Sequence, residues 1–333
     1  MKVYVIDDLI SEILACVRRH RLAPGAYARW SFGEDRDRGI NPYGCADAAN
    51  ILYTIGHFTR NAAEREAEIK TLQGLQDPET GLYREETHHP IHTTAHCSAA
   101  LELYDQAPLF PCYALQRYRK QEDLYELLAT GIRWATHPWR DSHIGAGILP
   151  CLVNTGAVDL RWKEWYFSWL WEHSDPESGF FCCGEKKAPL YEYMAGGFHY
   201  IFNHEAERRP LRYPERIVDS CLSLIEAGLS GVPGAKRLAL ACGFIDIDVV
   251  YCLSRAMRQT PHRFAEGKLA LERLAERYLA MLYALDPESD PSFDDLHMLF
   301  GAVCCLAELQ SALPGKLLTA KPLRLVLDRR PFI

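Results

Sequence analysis

The sequence predicts an all-α fold of about twelve helices in two concentric layers, on three observations. A tight-turn motif recurs as Asp77-Pro78-Glu79-Thr80-Gly81, as Asp175-Pro176-Glu177-Ser178-Gly179 and, altered, as Asp286-Pro287-Glu288-Ser289-Asp290. Segments that are apolar on every face alternate with amphipathic ones; the first kind of helix is buried all round and the second half exposed. Anchored at Asp47, Thr94, His143, Glu192, Asp246 and Asp294, the apolar segments recur at intervals of 47, 49, 49, 54 and 48 residues. A near-constant period of this length marks a repeat architecture.

Taken in order, residues 3–20 read as a first helix ending before Pro24-Gly25. A long loop over 21–42 holds Trp30 and Arg36, and loops of that length inside a compact domain often carry function. Apolar segments follow at 46–58, 93–103, 144–158, 191–203, 244–257 and 296–309. Between them run amphipathic segments at 61–75, 122–136, 161–173, 214–229 and 264–285. The tail from Pro314 includes Leu323-Arg324-Leu325-Val326-Leu327, read as extended. Residues 1–313 form one domain, with 314–333 packed on it as a C-terminal tail. In the turn motif, Asp accepts local backbone hydrogen bonds and Pro presets φ. Gly81 and Gly179 supply positive φ, a place taken by Asp290 in the third copy. The Leu82-Tyr83 and Phe180-Phe181 pairs that follow are expected to plug into the core.

Composition bounds the partners. A net charge of −7 argues against a nucleic-acid backbone, which asks for a basic face. The longest apolar stretch, 144–160, is interrupted by Pro150, Asn154 and Thr155 and is too short to span a bilayer. Acidic residues at Asp7 and Asp8 stand where a signal peptide would be apolar, so a cytoplasmic protein is expected. The twelve cysteines contain no C-x-x-C pair and read as reduced core thiols. The aromatic run Trp162, Trp165, Tyr166, Phe167, Trp169 and Trp171 reads as packing, within the chain or between two copies of a homodimer.

Period and pattern together resemble the α/α toroid of six helical hairpins. That fold is shared by six-hairpin glycosidases, toroidal polysaccharide lyases, sugar epimerases and the terpenoid cyclase/protein prenyltransferase superfamily. The resemblance covers nearly the whole chain and matches no single family by motif. It implies inner helices that run parallel, with their N-terminal ends gathered around one funnel that holds the active site.

Several polar groups would meet there. Four histidines fall within nine residues, at His88, His89, His92 and His96; His92 and His96, four apart, share one helical face. Imidazole is the usual proton-transfer group near neutral pH. Asp47, Asp246 and Asp294 each read equally well as a helix cap. Asp248 and Asp295 are second carboxylates at the same helix starts, which capping does not explain. Glycoside hydrolysis needs two such groups. The catalytic candidates are therefore Asp248, Asp295, His92, His96 and Tyr193. Substrate-binding candidates are Asp47, Tyr83, Arg84, His143, Tyr191, Glu192, Asp246, Asp294, His297, Trp30 and Arg36.

The expected function is that of a carbohydrate-active enzyme, a glycoside hydrolase or uronate lyase, working on an oligosaccharide or other small molecule without metal or cofactor. Toroidal lyases resemble this inventory in using Tyr and His as base and acid, with Arg on a uronate. Asp246-Ile247-Asp248-Val249 is similar to the acid motif of class II terpene cyclases, with Val249 in place of its last Asp. That implies a second possibility, a cyclase with Asp248 as acid. A non-catalytic toroid that binds a peptide or protein is the third.

Overall fold

The structure, a computed structural model, describes residues 2–32, 37–228, 243–330 and 332–333. Strand β1 (Tyr4–Val5) leads into α1 (Asp7–Arg19). The expected long loop contains a small antiparallel hairpin of β2 (Arg21–Ala23) and β3 (Ala26–Tyr27). Then come α2 (Pro42–Thr54), α3 (Ala62–Gly74) and α4 (Pro90–Glu102). A 3₁₀ helix (Tyr113–Arg119) precedes α5 (Gln121–Thr130), α6 (Pro138–Val153), α7 (Leu160–Glu172), α8 (Leu190–Ala206) and α9 (Pro214–Glu226). The chain closes with α10 (Phe244–Met257), α11 (Phe264–Ala284), the short α12 (Pro291–Asp294), α13 (Leu296–Ala312), β4 (Leu317–Leu318) and α14 (Val326–Arg329). The end expected for the 214–229 segment, Leu229, lies outside the described residues. Among those residues no helix is long and apolar enough to cross a membrane.

Several apolar helices begin earlier than their hydrophobic pattern suggests. In α2, α4 and α6 the first helical residue is Pro42, Pro90 and Pro138, where the missing N–H costs nothing. Asn41 caps α2 by accepting from the Tyr43 and Gly44 amides, and His89 caps α4 through the Ile91 amide. Asp47 is therefore not a cap; it lies inside α2, beyond the first turn. The expected extended tail instead folds at its end into α14.

The alternation of buried and half-exposed helices is plain. Eleven of the thirteen residues of α2 are buried, against only Glu68 and Leu72 in α3. The apolar helices pack in succession: α2 on α4, α4 on α6, α6 on α8, α8 on α10, α10 on α13, and α13 on α2. The amphipathic ones lie against neighbouring pairs, α3 on α2 and α4, and α11 on α10 and α13. The tail is tied back twice. β4 pairs in parallel with β1, and α14 packs on both α8 and α2.

The three turn motifs fold alike at their start. Asp77, Asp175 and Asp286 accept the hydroxyl of the Thr or Ser three residues on, at 2.7, 2.6 and 2.5 Å. Gly81 and Gly179 take φ of +71° and +83°. Asp290 departs from expectation: its φ is −75°, and its carboxylate caps α12 through the Ser292 amide. Leu82, Tyr83, Phe180 and Phe181 are buried. Phe180 lands on Gly197 of α8, where a Cβ would stand 2.4 Å from its ring.

Candidate functional site

A cavity of about 580 Å³ opens at the N-terminal turns of α4, α6, α10 and α13. Six histidines line it: His88, His89, His92, His143, His199 and His297. Asp248, Phe198, Phe244 and the tail residue Ile333 share its wall, and Trp139 and Arg140 border it from the start of α6, with Arg133 from the segment before that helix.

The imidazoles form one connected group. Ring centroids lie 4.8 Å apart for His88–His92, 4.9 Å for His92–His143 and 5.1 Å for His88–His297. Tyr43 is stacked between His88 and His96, with His297 against its edge. Burial pushes the His88, His92 and His143 pKa values down, and those of His96 and His199 to about 3. Burial holds the Tyr43 phenol protonated, and its hydroxyl is hydrogen-bonded to His92 Nδ1.

Hydrogen-bond partners fix which nitrogen of three rings is left for the cavity. Asp47 is fully buried and bonded to His96 Nε2 at 2.7 Å and His297 Nδ1 at 3.2 Å. Burial alone would raise its pKa, but His297 and His96 outweigh burial and keep the carboxyl well below the usual range. As a carboxylate it only accepts, so both imidazoles donate to it, and Nε2 is the His297 nitrogen turned away from Asp47. His88 Nδ1 donates to Glu85 at 3.0 Å. Against burial, His88, Thr87 and Arg29 hold Glu85 down at about 2. Ser142 gives its proton to the Trp139 carbonyl and accepts from His199 Nδ1 at 2.8 Å. In the neutral form of each of these three rings, Nε2 is the nitrogen without a proton. A carboxylate behind an imidazole orients it and stabilises the imidazolium that forms on proton uptake.

Asp248 is the complementary group. It is 1% exposed, and neither carboxyl oxygen has a hydrogen-bond partner. Burial, reinforced by the neighbouring Asp246 charge, raises its pKa well above the carboxylate range, so it carries a proton. Burial likewise pushes Asp246 up to about 7, opposed by Arg277. Buried His143 Nε2 is also without a partner.

The other predicted residues separate into rim, support and core. Asp295 does not line the cavity: Arg29 holds it through two bonds of 2.8 and 2.9 Å, and it caps α13 through the His297 amide. Asp294 accepts from the Ser31 and Phe32 amides. His96 sits behind the cavity, bonded to Asp47, while His92 lines it. Tyr83 and Tyr193 are buried away from it, and Trp30 lies under the Arg29 guanidinium. Arg84 is exposed. Glu192 accepts from the Trp139 amide and Tyr191 lies edge-on to the Trp139 ring, so both support the rim. Arg36 lies outside the described residues. Sequence reasoning did not place Glu85, Arg29, Ser142, Arg330 or Ile333 at the site.

Asp47, His96 and His297 present ligand atoms within 4.8 Å of one another, the one such group among the described residues. However, the other nitrogen of His96 faces the Arg330 guanidinium at 3.4 Å. A metal-bound imidazole needs an acceptor there, and guanidinium only donates. The three residues fit a hydrogen-bonded chain better than a coordination sphere.

No protein-family model matches the chain, and no curated protein or solved structure is significantly similar to it.

Proposed function

We propose that the chain is an (α/α)6 toroid enzyme of the cytoplasm that acts on a small acidic carbohydrate by proton transfer, with His297 as base and Asp248 as acid. The closed succession of contacts from α2 through α13 back to α2 supports the toroid. One observation carries the chemistry. An imidazole oriented by a buried carboxylate and a protonated, unpartnered carboxyl line the same cavity.

The carboxyl inventory favours elimination over hydrolysis. Hydrolysis asks for two free carboxyls across the scissile bond. Of the three that line the cavity, Asp141 is held by Arg133 at 2.6 and 2.8 Å and Glu86 is exposed at the rim. Only Asp248 is free and buried, so the base role falls to imidazole. In uronate elimination, His297 Nε2 removes the proton α to the carboxylate. The β carbon–oxygen bond breaks as the double bond forms, and Asp248 protonates the departing oxygen. Solvent then returns both groups to their starting forms. Arg140 stands at the cavity edge as a counter-charge for the substrate carboxylate. The cyclase alternative shares the buried acid, but six imidazoles suit a polar substrate better than an isoprenoid.

Incubation with a panel of uronate-containing oligosaccharides, read by the ultraviolet absorbance of the new double bond, tests the proposal. Wild type should generate the signal, and His297→Ala and Asp248→Asn should lose it. A panel with no turnover, or variants at full rate, would overturn it.

A further inference from the structure

The tail is held where it can act on the site. Asp328 pairs with Arg255 at 2.8 Å, and Arg329 donates to the Glu102 carbonyl at 2.7 Å. Next along the chain, Arg330 is fully buried. Its Nε donates to Asn50 Oδ1 at 2.8 Å, its Nη2 faces His96 Nδ1 at 3.4 Å, and its guanidinium lies over the Phe300 ring. Phe332 packs between His92 and Phe202, and Ile333 lines the cavity.

The hydrogen-bond chain from Arg330 to the cavity has two possible directions. In one, His96 Nδ1 accepts, His96 Nε2–H donates to Asp47, and His297 Nδ1–H donates to the same carboxylate. In the other, His96 carries its proton on Nδ1 and turns a lone pair toward Asp47. The carboxyl must then take up a proton to bond it and gives up part of its hold on His297. Guanidinium has donors only, so it is compatible with the first direction and clashes with the second.

We propose that Arg330 is a positioning residue: it fixes His96 as the Nε2–H tautomer, keeps Asp47 as the shared acceptor and so leaves His297 with its Nε2 lone pair toward the cavity. The inference rests on the proposed function only in naming His297 as the base; the tautomers are a property of the folded protein. The same segment places Phe332 against His92 and Ile333 in the cavity wall. Orientation of the base and part of the cavity wall therefore depend on one stretch of chain.

Nitrogen NMR of the imidazoles tests this on the intact protein without any substrate. Wild type should show His96 protonated at Nε2 alone and His297 at Nδ1 alone. Arg330→Met should convert His96 to a mixture of tautomers and shift the His297 pattern with it, and Arg330→Lys should restore the wild-type pattern. A wild-type His96 protonated at Nδ1 would overturn the inference. So would an Arg330→Met protein with native near-ultraviolet circular dichroism and an unchanged pattern. If Arg330→Met does not fold, the wild-type spectrum decides alone. Predicted tautomers in a protein that turns over no uronate support the role of Arg330 and sink the proposed function; the opposite tautomers in an active protein do the reverse.

Discussion

Neutralising Asp47 is expected to cost the fold about 3–5 kcal/mol, the range for stripping one partner from a buried charge pair. Asp47 is fully buried, and Arg330 is fully buried on the far side of His96. Asp47→Asn leaves that guanidinium facing no anion through the imidazole. It also turns an amide N–H toward a ring that needs an acceptor, and one unsatisfied buried donor alone costs about 1–3 kcal/mol. Arg330→Met is expected to cost a similar amount for the mirror reason. The double variant leaves no unpaired charge, so its loss should fall short of the sum by about 2 kcal/mol or more, within the range for coupled neighbours. Urea unfolding of all four proteins, followed by tryptophan fluorescence and far-ultraviolet circular dichroism, measures the cycle. Single losses that add to within about 0.5 kcal/mol would refute the idea of a coupled chain.

Three other outcomes follow from the same structure. Burial raises Glu68 to about 7, so the folded state keeps a proton that the unfolded state releases. Its contribution to stability is full below the ordinary carboxyl range and is lost as pH rises toward about 7. Glu68→Gln should recover about 3 kcal/mol above that pH and leave stability at about pH 4 nearly unchanged, as urea melts at the two pH values will show. Gly81→Ala would place a Cβ 1.9 Å from the Pro111 carbonyl oxygen at φ +71°, whereas Gly156→Ala at φ +66° meets open space. The first should lose at least about 2 kcal/mol more than the second, whose cost is the left-handed backbone alone, about 1–2 kcal/mol. Asp248→Asn should lower turnover about 10²–10⁴-fold. It should also raise the melting temperature at alkaline pH, because it removes a carboxyl that burial makes costly to ionise.

The period made much of the site legible. Tyr43 meets His92 and Asp47 meets His96, and both pairs are 49 residues apart. Pairing polar residues one period apart on successive apolar helices finds the buried chain from sequence. Other features resist that logic. The sequence allows Asp47 as a helix cap and reads Asp295 as a carboxylate that capping does not explain, and the structure reverses both: Asn41 takes the cap of α2 and leaves Asp47 to the histidines, while Asp295 caps α13 and serves Arg29. A carboxylate beside a helix start does not say which of those tasks it has. Asp290 keeps the position of a turn glycine but is drawn into capping α12. Arg330 had no signal at all: it belongs to no repeat, and only the packing of the tail on α8 and α2 brings it to His96.

The proposed reaction is elimination in the cavity with imidazole as base. The most direct test is product analysis by mass and proton NMR after digestion of a uronate-containing oligosaccharide by wild type and by His297→Ala. Elimination yields a fragment with a carbon–carbon double bond beside the carboxylate, formed without uptake of water by wild type and absent with the variant. Products that have gained one water, or the unsaturated fragment formed equally fast without His297, would contradict it.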